Sequence, residues 1–290
     1  MHGIRSALIV INTFKPEAES LACRVADFLR AEHIEPVFFQ FGGSSAENPF
    51  YGHDLAITLG GDGTVLFAAR HCARLGIPIF PVNLGEFGFI AGIERHNWEQ
   101  PLKAFLNHEL ESTHRMLLEA RVQRGGTEIF SSDLLNDAVV SGKGIAKIVN
   151  LSVQYDGVSF GMYKADGIIV ATPTGSTAYS AASGGPILGP NLSALVLTPV
   201  SAFSLSNRPI VLAARGILEI TVLSMRHHEA ILTIDGQEVV PLLEGDRILI
   251  SESPHLASLI GCDASVFYSA LRSKLNWSGA PVPECGGDRA

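Results

Sequence analysis

The run Leu59–Arg70, LGGDGTVLFAAR, sets one carboxylate, Asp62, among glycines between an apolar segment and a helix-like one. Glycines let a backbone approach a ligand closely and take positive φ. N–H groups exposed at a helix start favour phosphate oxygens. Gly60, Gly61, Gly63 and Thr64 are therefore candidate phosphate or nucleotide contacts. An aspartate in that setting can accept a proton from a hydroxyl or hold a divalent cation. Asp62 is the candidate catalytic residue, and the plainer alternative is a tight turn in which it caps the helix.

A second polar cluster runs from Tyr163 to Ile187, YKADGIIVATPTGSTAYSAASGGPI. Asp166-Gly167 opens a strand, and Pro173–Thr177 is a hydroxyl-rich turn followed by Tyr179. Such a turn can hydrogen-bond a ribose or phosphate and stack on a base; it can equally be a Ser/Thr-capped connection into one helical turn. Asn136-Asp137, inside LLNDAVVSG, is a polar pair between apolar neighbours and needs partners if buried. It could serve ribose hydroxyls or close a turn. Other chemistries find no support. His227-His228 has no third ligand at metal spacing, HExxH and GxSxG are absent, and no protein metal ligand is nominated.

The elements that must position these residues follow from pattern. Strand signals at Ser6–Ile11, Pro36–Phe41, Asp54–Gly60 and Ile77–Asn83 alternate with helical spacing at Leu21, Val25, Phe28 and Leu29, with Thr64–Leu75 stopped by Gly76, and with Asn97–His108. Pro16 sits at a first helical position. Alternation of this kind implies a parallel sheet with helices on its faces. From about Glu111 to Val266 the strands become short and close, with one helical turn near Ser176–Ser183, which reads as an all-β, sandwich-like half. Ser265–Trp277 looks helical, with Phe267, Leu271 and Leu275 on one face. The division expected is an α/β domain over 1–108, a β-rich domain over 109–264, and a C-terminal helix and tail over 265–290.

Composition narrows the partners. The 290 residues are 47% hydrophobic and 17% charged, enough apolar material for a large core. A net charge of -8 argues against a nucleic-acid partner. The apolar run Ala7–Ile11 is too short for a signal peptide or a membrane span. The 4 cysteines are far apart, as expected of reduced thiols in a cytoplasmic protein. Ala194–Phe203 reads as an apolar stretch with few charges to blunt a strand edge, which invites a partner copy. The stretch Gly42–Gly52 reads as a mobile loop near the site or, equally, as a plain surface loop.

Taken in order, GGDGT (Gly60–Thr64), NLGEFGF (Asn83–Phe89), LNDAVV (Leu135–Val140), DGIIVATPTGSTAYS (Asp166–Ser180) and SLSNRP (Ser204–Pro209) resemble the NAD kinase family. TIDGQ (Thr233–Gln237) and LRSKLNW (Leu271–Trp277) are later echoes, so the resemblance spans nearly the whole chain. It implies transfer of the γ-phosphoryl group of ATP to the 2′-hydroxyl of the adenosine ribose of NAD. It also implies a divalent cation, Mg²⁺, NAD in a crevice between the two halves, a C-terminal segment that returns to the first half, and a homotetramer, with a dimer as the smaller alternative. Position by position, Asp62 matches the central carboxylate, and Asn136 and Asp137 match the pair on the adenosine. Phe89 matches an apolar wall, and Thr177, Ala178 and Tyr179 match the adenine side. Asp166 matches a carboxylate facing the nicotinamide, Lys164 a basic residue near the new 2′-phosphate, and Gln237 a further NAD contact. Two departures stand out: Phe203 where the family often has His, and Glu86-Phe87 where it usually has one small or apolar residue. The competing readings are another GGDG-type kinase, of lipids or sugar phosphates, and a non-catalytic NAD(H) sensor.

Overall fold

The computed structural model describes residues 3–43, 48–85, 88–144, 148–204, 207–223 and 229–275. Glu86 and Phe87, residues 44–47 of the Gly42–Gly52 stretch, Leu205 and Ser206, the His227-His228 pair and the tail from Asn276 lie outside those residues.

The N-terminal half alternates as its pattern predicts: β1 (Ser6–Asn12), α1 (Ala18–Ala31), β2 (Glu35–Phe41), β3 (Leu55–Gly60), α2 (Asp62–Leu75), β4 (Ile79–Asn83), a short β5 (Ile93–Glu94) and α3 (Glu99–Leu106). Pro16 is not the first helical residue, because Glu17 is the N-cap and α1 begins at Ala18. The strands pair in parallel in the order β2-β1-β3-β4. Alternate residues of β1 divide between two layers. Ala7, Ile9 and Ile11 pack with α1 and α3 around Trp98, while Leu8 and Val10 face α2 and Phe67. Phe67 stacks on Phe41 with centroids 4.5 Å apart, which seats α2 over the carboxyl ends of the strands.

The C-terminal half contains β6 (Ser112–Arg124), β7 (Thr127–Leu134), β8 (Asp137–Gly142), β9 (Val149–Tyr155), β10 (Val158–Ala165), β11 (Gly167–Ala171), a 3₁₀ turn (Gly175–Thr177), α4 (Tyr179–Ala182), β12 (Ala194–Val200), β13 (Ile210–Ala213), β14 (Leu218–Val222), β15 (Ala230–Ile234), β16 (Glu238–Leu242), β17 (Arg247–Ile260) and α5 (Ala264–Leu275). Six of these strands form an antiparallel sheet in the order β13-β12-β11-β8-β15-β16. That sheet packs on β6, β9, β14 and β17 through Leu118, Val140, Val153, Val170, Ile220 and Ile250, all buried. β17 is shared. It pairs antiparallel with β6 and β14 and parallel with β4 at Leu259, so one 11-stranded sheet runs through both halves.

β7, β10 and β16 are absent from the sequence-based expectation. Each carries exposed residues and mixes polar with apolar ones, so none reads as an apolar run. The expectation of an edge at Ala194–Phe203 is corrected: β12 is interior and buried between β11 and β13. Among the described residues the exposed apolar edges include β13, where Ile210 and Val211 are 40% and 43% exposed, and β10, where Val158 and Met162 are 65% and 79% exposed. No helix among the described residues is long and apolar enough to cross a membrane.

Candidate active site

The glycine loop leaves β3 at its carboxyl end, where ligands of open parallel sheets bind. Gly60 is demanded by packing, since a Cβ there would lie 2.1 Å from Thr64 Oγ1. Thr64 turns inward, 1% exposed, and accepts from Asn12 Nδ2 at 3.0 Å. Its side chain therefore braces the loop against β1. Gly61 is the N-cap of α2 and Asp62 the first helical residue.

The N-cap of α2 is Gly61, which has no side chain to make a cap bond, so the alternative in which Asp62 caps the helix does not describe this turn. Its carboxylate reaches across to the strap that follows β4. Phe89 N–H donates to Oδ2 at 3.0 Å, and the N–H groups of Ile90 and Ala91 donate to Oδ1 at 3.3 and 3.1 Å. Bonds to an ionised acceptor are the strong kind and fix the carboxylate plane. A carboxylate has about four lone-pair directions, and Oδ2 accepts only one of these bonds, so it keeps a direction for a substrate hydroxyl. The strap is itself held from behind. Cys262 Sγ donates to Ile90 O at 2.9 Å. The Phe89 ring lies 6.3 Å from that of Phe267 on α5, with Lys274 Nζ 5.1 Å above it. Phe89 is thus tied to the C-terminal helix.

The second wall belongs to the β-rich half. Asp235, at the turn between β15 and β16, is buried, and its carboxylate accepts N–H from Leu135 at 3.1 Å, Asn136 at 2.7 Å and Asp137 at 3.1 Å. Arg70 of α2 donates to it at 3.3 Å. Burial pushes the Asp235 carboxyl up, opposed by the Arg70 guanidinium and those N–H groups. Beside it, burial and the charge of Asp235 push Asp137 up to about 7. The turn after β11 closes on this shelf: a Cβ at Gly175 would lie 2.1 Å from Asn136 O.

The hydroxyls of that turn serve it locally. Ser176 donates to Pro173 O at 2.6 Å and Thr177 to Thr174 O at 3.1 Å, as a capped connection would. Asn136 Oδ1 and Thr174 Oγ1 are buried without a hydrogen-bond partner among the described residues. Ala178 is half-buried, and Tyr179 follows it, 46% exposed.

Gln237 closes the gap between the walls. Its Nε2 donates to Gly63 O at 2.7 Å, and its Oε1 accepts from Arg70 at 2.7 Å. Lys164 and Asp166 are not brought to this place. Ala171 pairs with Asp137 and Gly167 with Ser141, so Asp166 sits about 17 Å along β11 from the shelf at 3.3 Å per residue. There Lys164 Nζ lies 4.9 Å from the exposed Phe203 ring. Among the described residues no group of three or more His, Cys, Asp or Glu could hold a metal ion.

Asp235 and Arg70 escape a reading of the sequence alone. Asp235-Gly236 has the composition of an ordinary hairpin turn, which hides a buried carboxylate. Arg70 carries a signal, being a lone charge that continues the apolar run Val65–Ala69.

The fold and the glycine loop together define a kinase built on a glycine-rich strand-to-helix turn. A family model for the ATP-NAD kinase N-terminal domain matches residues 49–110, and one for the ATP-NAD kinase C-terminal domain matches residues 135–262. The chain is 52% identical to an NAD kinase of Treponema denticola over 282 residues, 97% of this chain and 99% of that protein. An NAD kinase from Archaeoglobus fulgidus, solved in complex with ATP, aligns with a TM-score of 0.75 at 25% identity, over 94% of this chain and 99% of that one. Yeast NADH kinase, solved with NADH, shares the fold with a TM-score of 0.83 at 21% identity, over 97% of this chain and 90% of that one. The chain belongs to the NAD kinase family and is an ATP-dependent kinase.

Proposed function

We propose that the protein transfers the γ-phosphoryl group of ATP to the 2′-hydroxyl of the adenosine ribose of NAD, with Asp62 orienting that hydroxyl and taking its proton. The observation that carries this reading is the Asp62 carboxylate, held by the N–H groups of Phe89, Ile90 and Ala91 at the start of α2. Phosphoryl transfer asks little covalent chemistry of a protein and much positioning and charge placement. The strap removes the need to reorganise the carboxylate at the moment of reaction, and Oδ2 retains a lone pair for the 2′-hydroxyl.

In this reading the adenosine rests on the Asn136–Asp137 shelf, where the unpartnered Asn136 Oδ1 and Thr174 Oγ1 are acceptors for its polar edge. Thr177, Ala178 and Tyr179 flank the adenine, and Phe89 stiffens the strap beside it. Backbone N–H groups around Gly61 and Gly63 meet ATP phosphates, with Gly60 and Thr64 shaping the loop. Mg²⁺ enters as part of the ATP substrate, since it binds largely through phosphates and water.

Lys164 and Asp166 stand too far from their own shelf for Lys164 to meet the new 2′-phosphate there. We assign them to the NAD held by a neighbouring copy, which makes the working unit a homotetramer, or at the least a dimer. The boundary between halves falls near residue 108, with the helix from residue 265 returning to the first half. The assigned setting is cytoplasmic NADP synthesis, consistent with widely spaced thiols.

Incubation with NAD, ATP and Mg²⁺ tests the reading through the appearance of NADP. Asp62→Asn keeps the shape and removes the basicity, so turnover is expected to fall by about two orders of magnitude or more with an unchanged circular dichroism spectrum. Near-normal NADP formation by that variant removes Asp62 from the mechanism, and no NADP from the native chain favours a non-catalytic sensor.

A further inference from the structure

Asp62 and the Asn136–Asp137 shelf belong to different halves of the fold, so something must set the distance between them. The sheets fix it only in part: the 11-stranded sheet carries both β3, which leads into Asp62, and β7, which ends at Leu134 two residues before Asn136, while β8, which begins at Asp137, belongs to the other sheet. Among the described residues two sets of polar contacts cross from α2 to this side: Arg74 Nε donates to Asp133 Oδ2 at 2.7 Å near the end of β7, and a longer chain reaches the shelf itself.

The longer chain begins at Arg70. Arg70 lies two turns beyond Asp62, with its side chain 5% exposed. Its Nη1 donates to Asp235 Oδ2 at 3.3 Å and its Nη2 to Gln237 Oε1 at 2.7 Å. Its Nε faces Glu238 Oε1 at 3.5 Å. Gln237 then returns to the head of the same helix through Nε2 and Gly63 O at 2.7 Å. On the other side Asp235, its side chain 0% exposed, gathers the N–H groups of Leu135, Asn136 and Asp137. The hairpin turn between β15 and β16 is thereby clamped both to the residue after Asp62 and to the shelf.

We propose that Arg70 and Asp235 are a positioning pair that sets the separation between Asp62 and the Asn136–Asp137 shelf, acting through Gln237 and the backbone of 135–137 and touching no substrate. This rests on the assignment of Asp62 and the shelf made above. The physical case is that a buried ion pair is a poor device for holding a helix against a hairpin. Desolvation of both charges cancels much of their attraction, and apolar side chains of similar size hold as well or better. What the pair supplies is direction. The planar guanidinium offers its donors in a fixed fork, and here the fork reaches Asp235 and Gln237 at once, so α2 cannot slide along its axis without losing one of them. Reactions of bound groups are sensitive to such displacement, since about 1 Å of misplacement can cost roughly 10²-fold.

The test uses Arg70→Lys, which keeps the buried charge but not the fork, together with Asp235→Asn and the double variant, all in the full chain. Melting temperature and circular dichroism report folding, and kcat and KM for NAD are measured on each folded protein. The expected result for Arg70→Lys is a kcat lowered about tenfold or more with KM for NAD little changed, because NAD still finds its shelf while Asp62 is displaced. Arg70→Lys and Asp235→Asn cut the same link, so the double variant should lose no more kcat than the worse single one. If Asp235→Asn does not fold, the kcat-against-KM split of Arg70→Lys carries the test alone. A folded Arg70→Lys protein with kcat and KM within about twofold of native overturns the proposal. So does a lowered melting temperature with unchanged kcat per folded molecule, which is what a merely structural pair would give. Asp62→Asn, assayed alongside, reports separately on the assignment beneath the proposal.

Discussion

A Cβ on residue 88 would lie 2.0 Å from Asp62 Oδ1 and 2.8 Å from its Cγ, so Gly88 is the only residue that lets the strap close over the carboxylate. Any side chain there must push out either the strap or Asp62. Gly88→Ala is expected to lower kcat by about 10²-fold, the scale of an ångström-sized displacement at a reacting group. Circular dichroism should not change. Native turnover by Gly88→Ala would show that Asp62 works without the strap.

Asp137 carries a pH signature. Its folded-state carboxyl sits at about 7, above the ordinary carboxylate value. Between that ordinary value and 7 the folded protein binds more protons than the unfolded chain, so this group's contribution to stability is full in acid and is lost as pH rises through the folded value. Asp137→Asn removes the buried charge. It is expected to stabilise the fold more at pH 8 than at pH 5, by roughly 3 kcal/mol, since about two units separate pH 5 from the folded value at roughly 1.4 kcal/mol per unit. Denaturant melts at the two values measure it, and an equal effect at both places the titration elsewhere.

Lys164 should distinguish product from substrate. Its ammonium lies 4.9 Å from the Phe203 ring, in cation–π range. A bond to the 2′-phosphate exists only with NADP. Lys164→Ala is therefore expected to weaken NADP binding about tenfold or more relative to NAD, the scale of a charge-assisted bond. Phe203→Ala should do the same to a lesser degree. Calorimetric titration with both nucleotides decides it, and equal losses for NAD and NADP point to a solvated strand residue.

The proposed assembly rests on the same displacement of Lys164 and Asp166 along β11. The exposed apolar edge at Ile210 and Val211 offers a surface for it, and closed symmetry is the usual outcome of a self-complementary face. Sedimentation and light scattering should report a tetramer, or a dimer, whose activity falls on dilution. A single 30.9 kDa chain fully active at nanomolar concentration sinks the shared-site assignment.

Much of the fold was legible because its signals are local. The strand–glycine–helix order of Leu59–Leu75 needs only near neighbours in the chain, and the structure returns it with α2 beginning at Asp62. The β-rich half was legible as short strands between turns. Its partly exposed members β7, β10 and β16 were not, since a strand that partly faces solvent need not alternate strictly. The edge expected at Ala194–Phe203 failed for a related reason. An apolar run reports that a strand is buried, and burial argues for an interior place in the sheet.

The amino-acid sequence by itself determined which side chains could do chemistry: a carboxylate among glycines, a polar pair on a strand, and a hydroxyl-rich turn. What each does was decided by the tertiary structure. Asp62 does not cap its own helix but is held by backbone N–H groups 27 to 29 residues away. Ser176 and Thr177 bond their own turn. Arg70 meets Asp235 across 165 residues. The physical reason is that the partners of a buried polar group are mostly backbone N–H and C=O groups. Nearly every residue carries both, so their identity leaves no trace in the sequence until folding chooses which of them come within 3 Å.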